Sequence, residues 1–405
     1  MRMQGAVLFT VLVTLSACEN AAAGPGNKSQ AGTVSDSAGV RIVSHDLRTA
    51  TNIPALPLGS APVFSLSGED HDFLEGVQSI EGGVILSDDR VAIGLRGGQQ
   101  IVVLNTDGTV VRSIGRSGAG PGEFRRLKGP WLADGDALLA YDASMRRVTI
   151  LDTTGRVLAS DTYAGRSARD TIQLLWNVIG ALRNGRVIGT SITTARPEPG
   201  MSRQQVQMTA LDSGGITTPL GERFPGAEIS VGPPNAQGFV ALRQPPFGRN
   251  TLMAVCPTSL VHMANETGRI IETTEAGAIT QMLDLRTTPV KIERDHFVAE
   301  ALRWTDGDTS GVGRTVSMMQ EMTVTEFLPV VMSLRCMRDG DLWVELYPLP
   351  SDTMTTYAVF DSGFALRGKL VLPRSHVVLD AIRGSLLIVR PGADDVAVVE
   401  SRRLR

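Results

Sequence analysis

A chain of 405 residues, 42% hydrophobic and 5% aromatic, with a formal net charge of −3, is long and apolar enough to build a folded body. It carries no long basic run, so it lacks the electrostatic footprint of a nucleic-acid binder, and nucleic acid is set aside as a partner.

The first element is an apolar stretch from Ala6 to Leu15 behind the single cation Arg2, closed by Ser16, Ala17 and Cys18. A run of about ten apolar residues is half of the roughly twenty a membrane-spanning helix needs, so it reads as a signal peptide. The tetrad Leu15-Ser16-Ala17-Cys18 resembles the bacterial lipobox, which implies cleavage before Cys18 and acylation of its sulfur. Each buried acyl methylene stabilises membrane attachment by about 0.8 kcal/mol, so a multiply acylated Cys18 is a durable anchor. Glu19, rather than Asp, follows and leans toward the outer membrane. Residues 1–18 are therefore expected to be a lipoprotein signal, and residues 19–37, poor in large apolar side chains, a flexible tether.

From residue 38 to 405 one pattern recurs: a turn of Asp, Gly, Asn or Ser followed at once by a short apolar strand. The copies begin at Asp88, Asp134, Arg183, Pro257, Asp339 and Arg383. A second signature, an alternating strand closed by an acidic or amide residue and Gly, follows several of them, as at Ile101 to Gly108 and Val148 to Gly155. The repeating unit is about four strands, the size of one β-propeller blade, and its copies predict an all-β, six-bladed propeller of four-stranded antiparallel blades.

The widest gap between copies runs from Leu260 to Leu342. Within it Phe297, Val298, Ala301 and Leu302, then Met318, Met319 and Met322, fall at helical spacing, predicting a short helical insertion over about 291–327 between blades four and five. The methionines read as packing. Only one strand, Val396 to Leu404, follows the last hairpin, so the sixth blade needs a partner from the N-terminal strands Val40 to Ser44 or Pro54 to Ser60. Such pairing closes the ring.

Between the first two blades stands Gly115-Arg116-Ser117-Gly118-Ala119-Gly120-Pro121-Gly122-Glu123-Phe124. Its glycines permit backbone angles closed to other residues, and Phe124 is placed to plug the space between blades. This segment resembles the blade linker of the NHL-type six-bladed propeller lipoproteins of bacteria, as do Asp36 to Val43, the Pro245-Pro246-Phe247 run and Asp341 to Val344. The resemblance implies a propeller lipoprotein over nearly the whole mature chain.

Related propellers include lactone hydrolases and lyases that hold a divalent metal in the channel. The five histidines, His45, His71, His262, His296 and His376, show no pair at metal-ligand spacing, and no Gly-x-Ser-x-Gly elbow or Cys/His pair nominates a nucleophile. No catalytic residue, metal ligand or cofactor is assigned, although a divalent cation in the channel stays open. Asp142 and the following Arg146 and Arg147 read as a salt bridge across a hairpin. Cys256 and Cys336 either pair or stand as small buried hydrophobes, and free thiols are the expectation.

The candidate ligand face gathers Arg96, Arg116, Glu123, Arg125, Arg126 and Arg146, a set suited to carboxylate or phosphate groups. The functional expectation is a lipid-anchored, non-catalytic binding or scaffold module for a peptide, glycan or protein partner. The alternative is a metal-dependent propeller hydrolase or lyase.

Overall fold

The computed structural model describes residues 32–48, 53–69, 71, 74, 76–163, 175–192, 199–212, 215–233, 241–305, 307–382 and 384–404. Cys18 and the signal segment lie outside these residues. Three strands precede the repeats: β1 (Thr33–Ser37), β2 (Val40–Asp46) and β3 (Leu58–Ser67). Blade one is β4 (Ile80–Ile85), β5 (Val91–Leu95), β6 (Gln100–Leu104) and β7 (Val110–Ile114). Blade two is β8 (Leu127–Leu132), β9 (Leu138–Asp142), β10 (Arg147–Leu151) and β11 (Val157–Thr162).

Blade three runs through β12 (Leu175–Ala181), β13 (Val187–Ile192), the long β14 (Gly200–Asp212) and β15 (Ile216–Val231), and a short β16 (Leu242–Arg243). Blade four is β17 (Thr251–Val255), β18 (Leu260–Ala264), β19 (Arg269–Thr273) and β20 (Ile279–Arg286). After helices α1 (Arg294–Trp304) and α2 (Val312–Met322), blade five is β21 (Val331–Cys336), β22 (Leu342–Leu346), β23 (Met354–Phe360) and β24 (Leu366–Pro373). Blade six is β25 (Val377–Ile382), β26 (Ser385–Pro391) and β27 (Ala397–Leu404).

The sheets form a six-bladed propeller, and each predicted turn opens the second strand of a blade. Arg383 itself lies outside the described residues. The blades pack face against face, and every interface has its own apolar cluster: Phe124, for example, is fully buried among Ile101, Ile114, Leu138 and Leu151 between blades one and two. Its seat depends on Gly115, at φ +87, where a Cβ would stand 2.7 Å from the Phe124 ring.

The ring closes where β3 pairs antiparallel with β27 as the fourth strand of blade six. Of the two candidate closing segments, the later overlaps this strand only over its last residues, with Leu58 paired to Leu404, while Pro54 to Leu56 pair with Lys369 of blade five; the closing strand runs on to Ser67. Val40–Asp46 instead lies parallel to β20 as an extra outer strand of blade four, with β1 paired outside it. Blades three and four carry extra strands outside their four, β16 and β2 with β1. One expectation is corrected here: the stretch read as tether ends in a strand, because residues 33–37 gain backbone hydrogen bonds from β2 although all five are exposed.

The helical insertion begins and ends at an antiparallel bridge between Lys291 and Phe327. Its first helix opens with a capping box between Glu293 and His296. The second starts at Val312, with Val316, Met319 and Met322 buried. The pair packs on Phe247 of the Pro245-Pro246-Phe247 run, whose ring meets Phe297 edge-on at 5.4 Å. Among the described residues, no helix is long and apolar enough to cross a membrane.

Candidate functional site

The first strands of neighbouring blades lie side by side around the axis: β4 with β8, β8 with β12, β12 with β17, β17 with β21, and β25 with β4. They enclose a channel of about 630 Å³ to which each blade contributes, with Glu81, Gly129, Gly180, Ala254, Arg335 and Asp380 representing blades one to six. Glycine lets blades one and two approach here. A Cβ on Gly94 would stand only 2.0 Å from the Gly129 carbonyl oxygen.

One end of the channel is crossed by the turns that follow the first strands. Asp136 of blade two accepts hydrogen bonds from the backbone N–H (3.0 Å) and hydroxyl of Ser87 in blade one and pairs with Arg338 of blade five. The Arg183 guanidinium of blade three reaches the Arg338 carbonyl at 3.5 Å, and the Arg183 N–H donates to Pro257 of blade four at 2.7 Å. Burial pushes the Asp136 carboxyl up, but the bonds from Ser87 and Arg338 outweigh it and hold it below the usual carboxylate range.

The expectation of free thiols is corrected at this end. Cys256, just after β17, and Cys336, at the end of β21, are joined by a disulfide with Cα atoms 4.8 Å apart. Adjacent inner strands bring together two residues that sequence separates by 80 positions.

Asp380 lies on the inner strand of blade six, 7% exposed, and accepts hydrogen bonds from Ile85 N–H at 2.8 Å and Ala381 N–H at 2.9 Å. Burial drives its carboxyl up to about 7 in spite of those two bonds. Arg335, on the inner strand of blade five, is exposed to the channel and has no ion-pair or hydrogen-bond partner for its side chain among the described residues.

The candidate ligand-face residues gather at the opposite end of blades one and two. Arg96 sits just after β5 and pairs with Glu81, which also receives Lys128 at 2.6 Å. Arg116 pairs with Glu123 at 2.7 Å, and Glu123 also takes the backbone N–H groups of Ala119 and Gly120, so it holds the linker closed on itself. Hydrogen bonds from Gly120 and Arg116 keep its carboxyl below the usual range. Arg125, Arg126 and Arg146 are exposed on the neighbouring loops. None of the six lines the channel.

The salt bridge expected for Asp142 is also corrected. Asp142 is fully buried and accepts from three backbone N–H groups, those of Arg125 (2.7 Å), Ser144 (2.9 Å) and Met145 (3.0 Å). Arg147 turns instead to the carbonyls of Ala119 and Glu123. Acid and cation thus fix the linker from two sides without touching each other.

Sequence reasoning passed over Arg335, Arg338 and Asp380. The signal for Asp380 is present, a lone acid inside the apolar strand Val377 to Ile382. Among the described residues no three His, Cys, Asp or Glu side chains are grouped to hold a metal ion.

Fold and channel together define a six-bladed β-propeller. No protein-family model and no curated protein matches the sequence. Solved structures similar to it include a member of the DUF4221 family from Bacteroides vulgatus, at 10% identity and a TM-score of 0.49, covering 87% of this chain and 99% of that one. A gluconolactonase from Xanthomonas campestris is similar at 14% identity and a TM-score of 0.41, covering 87% and 97%. Virginiamycin B lyase from Staphylococcus aureus is similar at 10% and 0.40, covering 84% and 98%.

Proposed function

We propose that this chain is an exported, lipid-anchored propeller of the NHL type that binds an acidic peptide or glycan in the bacterial cell envelope without transforming it. Arg335 carries the reading. An unpaired guanidinium offers five N–H donors in a planar fork, suited to a carboxylate, and the channel it lines also holds Arg183 and Arg338, the latter paired with Asp136. The Cys256–Cys336 disulfide supports an oxidising compartment. The lipobox ending at Cys18 supports the anchor, with the outer membrane as its place.

The test is a titration of the purified chain carrying Cys18→Ser with oligoglutamate, oligogalacturonate and their neutral counterparts, read by thermal shift and calorimetry. Acidic oligomers raise the melting temperature, and Arg335→Ala removes the rise. Equal response to neutral oligomers, or none to either, overturns the reading. Incorporation of labelled palmitate, lost in Cys18→Ser, tests the anchor.

Asp380 favours a second reading, hydrolase or lyase chemistry. A carboxyl poised near neutrality inside a channel is suited to accept or give a proton. The described residues do not form a metal-binding set, so no step is drawn through a metal. Stoichiometric cation in elemental analysis of the purified chain, with turnover of a lactone, would bring this reading forward.

A further inference from the structure

The interface between blades three and four is incompletely filled among the described residues. Its buried apolar cluster, Leu182, Ile188, Met208, Ala210, Leu220 and Leu260, leaves beside it a cleft of about 730 Å³ between β14–β15 and β18–β20. That volume falls within the range of about 300–1,000 Å³ typical of small-molecule sites. Met208, Leu220 and Phe224 line one side, Met263, Ile271 and Leu285 the other. At Gly221 and Gly277 the two blades touch backbone to backbone: a Cβ on Gly277 would stand 2.6 Å from the Gly221 Cα. This contact holds the blades together beside the open space.

Two polar side chains are buried in this wall, Thr273 at 6% exposure and His262. His262, on β18, is 8% exposed, lines the cleft and lies 4.2 Å from the Phe224 ring, centroid to centroid. No described residue hydrogen-bonds its imidazole. The ring nitrogens are not among the enclosed unpartnered polar atoms of the described residues, so they face the cleft, the space from which a partner would come. Burial holds its pKa down to about 4, so at neutral pH the ring offers one N–H donor and one lone pair. Of the charged side chains at the cleft, Arg269 and Asp284 form a two-point pair at 2.7 and 3.0 Å, and Glu222 and Arg286 add one charge of each sign, so the lining carries no net charge.

We propose that this cleft binds a small uncharged amphipathic molecule, with an apolar body between Phe224, Leu220 and Met263 and one hydroxyl or amide group on the His262 imidazole. The site is separate from the channel and does not depend on what the channel binds.

The experiment uses the purified chain carrying Cys18→Ser in detergent-free buffer, with N-phenyl-1-naphthylamine as fluorescent probe. Emission rises and saturates with the parent chain. It is lost in Ile279→Trp, because Ile279 lines the cleft and is 43% exposed, so the larger ring occupies the opening without disturbing the core. Displacement of the probe by 4-phenyl-1-butanol is then compared with displacement by butylbenzene. The preference for the alcohol falls about fivefold or more in His262→Phe, which keeps an aromatic ring against Phe224 but removes the polar atoms. An unsaturable signal, a signal equal in Ile279→Trp, or a preference unchanged in His262→Phe overturns the proposal. Melting curves of both variants close to the parent show that the readouts report the cleft.

Discussion

Arg338 of blade five pairs with the Asp136 carboxylate of blade two, its opposite number in the ring, so one ion pair spans the axis of the propeller. Ser87 of blade one converges on the same carboxylate. The side chains are 35% and 19% exposed, which screens the pair and limits its value to about 1 kcal/mol. A double-mutant cycle of Arg338→Ala and Asp136→Asn, read by urea unfolding, is expected to give a coupling energy of that order. Additive single effects would show that the turns are held without it.

Asp380 makes stability depend on pH. Its carboxyl rises from 3.8 to about 7 on folding, so the folded state binds the proton more tightly than the unfolded chain. The stabilisation is complete below about pH 4 and disappears as pH climbs through 7, a change of about 4 kcal/mol. Asp380→Asn is expected to remove this slope, seen by comparing urea midpoints at pH 4.5 and 7.5 in parent and variant. An identical slope in the two would contradict the assignment.

How much of this was legible follows from the distance over which each feature is decided. The hairpin turns at Asp88 or Asp339 and the Phe124 plug are local, because a positive-φ turn and an apolar strand announce themselves within a few residues. The destination of Val40–Asp46 is not local: its partner begins at Ile279, and both N-terminal segments are equally apolar. Cysteine pairing failed for the same reason, since it depends on which inner strands become neighbours. The partners of Asp142 are not legible because an acid at a strand end followed by a turn suits backbone N–H groups as well as a nearby Arg. The channel residues required knowing which strand of each blade faces the axis.

His262 carries a dependence of opposite sign. Its pKa falls from 6.5 to about 4 on folding, so the unfolded chain takes up the proton first. Stability is present above pH 6.5 and is lost as pH falls toward 4, by up to about 3 kcal/mol. In the Asp380→Asn background, where the opposing slope is absent, acid destabilisation over that interval should be visible, and His262→Phe should flatten it. Direct titration of the His262 ring protons by NMR gives an independent reading, and a midpoint near 6.5 would refute the burial argument.

The disulfide joins the inner strands of blades four and five across the loop that contains both helices. Closing a loop of that length restricts the unfolded chain, a contribution of about 2–4 kcal/mol. Reduction, or Cys256→Ser with Cys336→Ser, is expected to lower stability by this amount while the circular dichroism of the folded protein stays that of a β-propeller. Because both residues lie at the crossed end of the channel, binding by Arg335 should persist in the reduced protein at temperatures where it remains folded.

The ring itself rests on β3. Its residues Phe64 and Leu66 are buried against Leu387, Val389 and Val399, and its backbone pairs from Leu58 opposite Leu404 to Ser67 opposite Val398. By contrast, β1 is exposed along its whole length and pairs only with β2. A deletion and a substitution of similar apparent modesty should therefore differ sharply. Removing residues 1–37 leaves the ring closed and the urea midpoint nearly unchanged. Phe64→Ala, a single truncation in β3, opens a cavity between blades six and one and costs about 3–5 kcal/mol. Phe64→Asp, which places a charge in the same space, should prevent folding and appear as aggregation on expression. A mild effect of Phe64→Ala together with a severe effect of the N-terminal deletion would show that closure lies elsewhere.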